Sequence, residues 1–71
     1  MKEQLRKLRL LGNVFNLNMF YDIDLEYSEI KLQGKFNTEI VKICVRLKFQ
    51  ESFHPDGYLK FRRNNIEIIL T

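Results

Sequence analysis

From Phe15 to Tyr27 every odd position is apolar (Phe15, Leu17, Met19, Tyr21, Ile23, Leu25, Tyr27), and the even positions read Asn16, Asn18, Phe20, Asp22, Asp24 and Glu26. Side chains alternate faces along a strand, so this period of two predicts an extended segment with one hydrocarbon face turned inward and one acidic face left in water. At about 3.3 Å per residue the thirteen positions would run roughly 43 Å, too long for a chain of 71 residues. A bend or bulge is therefore expected within Asn13 to Asn18, with the regular strand at about Met19 to Glu26.

Past Tyr27-Ser28-Glu29 the phase inverts: Ile30, Leu32 and Phe36 are apolar while Lys31, Gln33 and Lys35 are polar. A phase flip across a short polar segment is the mark of a hairpin. Antiparallel pairing would set Asp22, Asp24 and Glu26 beside Lys31, Gln33 and Lys35, and opposite charges across strands favour that arrangement by a few tenths of a kcal/mol per pair.

The stretch Asn37 to Gln50 fits two periods. As a strand, Val41, Ile43, Val45, Leu47 and Phe49 share one face; as a helix, Glu39, Lys42, Arg46 and Gln50 form a polar stripe over Ile40, Val41, Cys44, Val45 and Leu47. Local signals favour the helix. Asn37 suits an N-cap, Glu39 puts a negative charge in the first turn, and Phe36 is placed to staple to Val41. The expectation is a helix over Thr38 to Leu47 with a strand starting near Lys48.

Two further elements are plainer. Met1 to Leu11 carries Leu5, Leu8 and Leu11 at helical spacing and stops at Gly12, which reads as a C-cap. Phe53-His54-Pro55-Asp56-Gly57-Tyr58 is a turn separating strands at Lys48 to Phe53 and Tyr58 to Arg62, and Arg63-Asn64-Asn65 turns the chain again into Ile66, Ile68 and Leu70. The fold class expected is α+β: a small antiparallel sheet of about five strands, with a short N-terminal helix and a helix at 38–47 packed on one face, in a single domain over 1–71.

A domain of this size buries only about 60% of the surface its unfolded chain exposes, and such folds often lean on a disulfide, a metal or a partner. Cys44 is the only cysteine and His54 the only histidine, so neither an intrachain disulfide nor an N/S zinc set is open to it. Oligomerisation is the stabiliser left, which makes a homodimer an expectation. Lys2, Glu3, Arg6, Lys7 and Arg9 interrupt any signal-peptide h-region, and no apolar run reaches membrane-spanning length; a cytoplasmic, non-membrane protein is expected.

Reactive constellations are sparse. Asp22, Asp24 and Glu26 stand about 6.6 Å apart on one strand face, a flat row that does not converge on a metal ion. His54 has no nucleophile or carboxylate arranged around it, Cys44 sits among Ile43 and Val45 as a small hydrophobe, Ser28 and Ser52 belong to no nucleophile motif, and Gly12, Gly34 and Gly57 are too dispersed for a phosphate loop. Neither an enzyme nor a cofactor or metal site is expected.

Function therefore falls to surfaces. The net charge is +3, with cations grouped at Arg6 and Arg9 and at Lys60, Arg62 and Arg63. If the strands form one open sheet with helices on one side, Phe20 and Ile69 fall on the face opposite the main core, joined by Ile40 unless its segment is the helix that buries it, and exposed apolar positions beside a charged rim mark contact sites. The reading is a small binding, adaptor or inhibitor protein that acts stoichiometrically on a protein partner, or on a second copy of itself, through a sheet face or edge, with Lys60, Arg62, Arg63, Arg6 and Arg9 steering an acidic partner and Phe20 and Ile69 in the contact. Its size, basic charge and AT-rich residue usage are shared with many small accessory proteins of phages and mobile elements. The alternative is a basic nucleic-acid-binding module, in which the same cations meet phosphates and bases stack on Phe53 and on one of Tyr58 and Phe61, which fall on opposite strand faces.

Overall fold

The structure, a computed structural model, describes residues 2–26 and 29–71, with side chains from residue 5 onward. Helix α1 (Lys2–Gly12) leads through a short 3-10 turn (Leu17–Met19) to β1 (Phe20–Glu26) and β2 (Glu29–Gly34); α2 (Thr38–Arg46) then precedes β3 (Gln50–Phe53), β4 (Leu59–Arg63) and β5 (Ile66–Leu70). The fold is α+β, as expected.

Helix α2 forms where its caps place it. Asn37 is extended, and its Oδ1 accepts the Glu39 backbone N–H at 2.8 Å, satisfying one of the donors a helix start leaves unpaired. Ile40 and Cys44, one turn apart, are buried, while Glu39, Lys42 and Arg46 face water. At the other end Lys48 adopts a left-handed φ of 62°, its N–H donating to the Val45 carbonyl at 3.1 Å and the Phe49 N–H to that of Cys44 at 2.9 Å. This pair of bonds is the Schellman arrangement, with lysine at the position glycine usually fills. It folds Phe49 back beneath the helix into the core.

Helix α1 ends differently from the expectation. Gly12 is its last residue rather than a left-handed cap beyond it, and the chain unwinds as the N–H groups of Asn13 and Phe15 donate to the carbonyls of Leu10 (3.1 Å) and Leu11 (2.8 Å). That turn drops Phe15 into the core, edge-on to Phe20 and Phe49.

The sheet runs β1-β2-β5-β4-β3. Pairs β1–β2, β4–β5 and β3–β4 are antiparallel and local in sequence, whereas β2 and β5 run parallel, so the sheet is mixed. Its inner face carries Ile30 and Leu32, Ile68 and Leu70, and Phe61, which pack with Leu11, Phe15, Ile40, Cys44 and Phe49 in one cluster.

Strand β1 corrects the simple alternation. Phe20 lies opposite Gly34, but Asp22 already lies opposite Gln33, so Tyr21 is the extra residue of a bulge. The bulge resets the phase: Phe20 points inward and is 7% exposed, Tyr21 is 61% exposed, and from Ile23 onward the odd positions face the core side again. The outward carboxylates of Asp22 and Asp24 do sit opposite Gln33 and Lys31. Tyr27 and Ser28, at the far end of the alternation, lie outside the described residues.

Candidate functional site

The cations expected to act together are divided by the sheet. Successive residues of a strand face opposite ways, so Arg62 stands on the open face and Arg63 on the helix side. Arg63 donates from its guanidinium to the Leu47 carbonyl at 2.7 Å, tying β4 to the C-terminus of α2. On the open face Glu67 is held by Lys60 (Nζ to Oε1, 2.9 Å) and Arg62 (NH1 to Oε2, 3.6 Å), and Arg62 reaches Glu29 at 2.8 Å through its other terminal nitrogen. Only 7% of Glu67 is exposed, so this carboxylate is embedded between its two cations.

The register explains the network. Asp24, Lys31, Glu67, Arg62 and Gln50 lie side by side across the five strands, so charge alternates along the row. The hydrogen bond with Glu67 raises the pKa of Lys60, that with Glu29 raises the pKa of Arg62, and the bond from Arg62 lowers that of Glu29. Lys60 and Arg62 thus stay charged and are paired with carboxylates of their own fold, whereas Arg6 and Arg9 on α1 are exposed.

Two of the three apolar candidates for the open face belong to the core instead. Phe20 is turned inward by the bulge, and Ile40 is the buried first-turn residue of α2. Ile69 does lie on the open face, half-buried between Gln33 and Lys60. Cys44 is fully buried, and burial pushes its thiol up to about 12, which keeps it protonated and inert. His54 stacks on Tyr58 with ring centroids 4.3 Å apart and accepts the Asp56 N–H at 3.3 Å, which packs the β3–β4 turn. Among the described residues no three His, Cys, Asp or Glu side chains converge as a metal-ligand set. No described helix is long and apolar enough to cross a membrane.

The sequence points to a sheet edge and to Phe53 without locating them together; a surface combining them lies at the end of the sheet where β3 forms the edge. Phe36 and Phe53, 58% and 73% exposed, flank an apolar groove of about 300 Å³ floored by Leu59 and Leu70 and closed by Gly57 and Thr71. The β2 end is tied down beside it, because the Phe36 N–H donates to the Thr71 carbonyl at 2.8 Å and the Thr71 N–H to that of Gly34 at 3.0 Å. All four residues of β3 are exposed.

The backbone direction of β3 follows from its pairing. The His54 N–H donates to the Tyr58 carbonyl at 2.8 Å, so His54, and by alternation Ser52 and Gln50, turn their polar groups toward β4. Glu51 and Phe53 consequently aim their N–H and C=O groups out of the free edge. Strand β1 forms the other edge, where the bulge and the carboxylates of Asp22, Asp24 and Glu26 discourage strand pairing. No family model, curated protein or solved structure matches this chain.

Proposed function

We propose that the protein is a non-enzymatic, cytoplasmic binding module that takes up an extended segment of a protein partner as a sixth strand along β3, with an apolar side chain of that segment seated between Phe36 and Phe53. The observation that carries this reading is the coincidence of an unprotected strand edge with Phe53, the most exposed large apolar side chain among the described residues, at the mouth of an apolar groove. In strand addition the main-chain hydrogen bonds supply affinity and the pockets for alternate side chains supply specificity. Both parts are present here side by side.

A nucleic-acid role draws less support, because Lys60 and Arg62 are engaged by Glu67 and Glu29 and Phe61 is buried. The test uses a displayed library of random seven-residue peptides selected on the immobilised protein. Selected binders should carry an apolar residue in an extended context and should lose binding to Glu51→Pro, which removes an outward N–H without touching the β3–β4 ladder, and to Phe53→Asp. Binders that ignore both substitutions, or a selection that enriches nothing, refute the reading.

A further inference from the structure

We propose that the occupant of the β3 edge is a second copy of the same chain, paired antiparallel about a two-fold axis through Ser52, so that the two five-stranded sheets become one continuous sheet. The proposal rests on the strand-addition reading above and names its partner.

The register follows from elimination. In antiparallel pairing a residue that points its polar groups outward must face another that does so, which restricts the axis to Glu51, Ser52 or Phe53. An axis on Glu51 would set two carboxylates directly opposite each other, a destabilising pair. An axis on Phe53 would set Glu51 opposite the second copy's Pro55, which has no N–H to donate. The axis on Ser52 has neither fault. It places Glu51 opposite the second copy's Phe53, and the reverse, so that all four outward N–H groups of the two strands find a carbonyl.

Charge and apolar surface agree with that choice. Beyond the paired strands, the same register brings exposed Lys48 toward the second copy's exposed Asp56, an attraction made twice by symmetry. The two Phe53 rings become diagonal neighbours on the helix side, about 7–8 Å apart at the backbone and within reach of each other, while the two Glu51 take the other diagonal, an exposed like-charge pair that the two Lys48–Asp56 attractions offset. The side chain left 73% exposed in the single chain thereby gains a cover. The β1 edge offers no equivalent, since self-pairing there would oppose rows of carboxylates beside a bulge.

Ser52→Cys tests the geometry directly. On the axis the two residues form a non-hydrogen-bonded pair with Cα atoms about 4.5 Å apart, inside the range a disulfide spans. Cys44 is buried and does not compete. Oxidation with glutathione disulfide should convert Ser52→Cys to a covalent dimer about tenfold faster than Gln50→Cys, whose thiols the register keeps apart, because pairing raises the local thiol concentration. Sedimentation of the unmodified chain should show a concentration-dependent dimer that Glu51→Pro, and independently Phe53→Asp, abolishes while circular dichroism keeps the native spectrum. Equal crosslinking rates for the two cysteine variants, or a chain that stays monomeric to its solubility limit, overturn the proposal. If the chain is monomeric but selected peptides still bind and are lost on Glu51→Pro, the edge binds other chains and only the second copy is refuted; if peptides fail as well, both readings fall.

Discussion

Exchanging the expected roles of Phe20 and Tyr21 has a measurable cost. By strict alternation Tyr21 belongs to the core and Phe20 to the wet face; the bulge reverses them, leaving Phe20 7% and Tyr21 61% exposed. Truncating a buried phenylalanine costs about 3–5 kcal/mol, and an edge-strand position that can relax falls at the lower end, about 3 kcal/mol. The ring of Phe20 also meets Phe15 edge-on at 6.1 Å. Such a pair adds about 0.5–1 kcal/mol beyond the buried area. Tyr21 stands to lose an exposed contact between its hydroxyl and Thr71 Oγ1 at 3.4 Å. For Tyr21→Ala the expected cost is therefore about 0.5 kcal/mol or less. A chain of this size has a total stability of only about 4–10 kcal/mol, so Phe20→Ala should remove a large part of it. In urea titrations followed by circular dichroism, with a slope of about 1 kcal/mol/M, Phe20→Ala should lower the midpoint by about 3.5–4 M and Tyr21→Ala by no more than about 0.5 M. Equal losses, or a larger loss for Tyr21→Ala, would refute the bulge and the inward direction of Phe20.

Lys48 holds a left-handed φ at the C-terminus of α2, a conformation that costs a side-chain-bearing residue about 1 kcal/mol. Lys48→Gly should therefore raise the thermal midpoint by a few degrees, and a decrease would mean the Schellman turn is not what stabilises this end of the helix. The pKa of Glu29 is lowered from 4.5 by the bond from Arg62, so the stability this pair contributes is present above pH 4.5 and is lost as pH falls through the depressed folded value. Arg62→Gln should accordingly be less stable than the parent at neutral pH and converge with it in acid. A stability difference that does not change with pH would count against the ion pair. Lys60 has the opposite sign, its pKa being raised above 10.5 by Glu67, so its share persists through neutral pH and is lost in strong alkali.

Much of the architecture was legible because it is encoded locally. Asn37 and Glu39 marked the start of α2, the phase inversion after Glu29 marked the first hairpin, and Pro55-Asp56-Gly57 and Asn64-Asn65 marked the turns of the meander. What escaped is what depends on neighbours distant in sequence. Period-two reading cannot say which residue of a run is the extra one. Tyr21 takes that role because Gly34, across the ladder, leaves room for the Phe20 ring: a Cβ there would lie 2.9 Å from the Met19 carbonyl oxygen and 3.1 Å from Phe20 Cδ1. Likewise the exposure of Phe36 and Phe53 follows from β3 being an edge, and edges are set by strand order. Arg62 and Arg63 looked like a pair of free cations; their partners, Glu29 and the Leu47 carbonyl, are visible only once the strands are side by side.

The parallel seam between β2 and β5 also governs how quickly the protein can form. The hairpin before α2 and the meander after it close through contacts a few residues apart, whereas Ile30 with Ile66 and Leu32 with Ile68 join opposite halves of the chain. Closing that long loop carries the larger entropic cost, so formation of the β2–β5 pairing is the step expected to limit the folding rate. Truncations at Leu32 or Ile68 should then slow refolding, while changes at the outlying β3 edge should chiefly speed unfolding, so partner capture at that edge would prolong the native lifetime without hastening assembly.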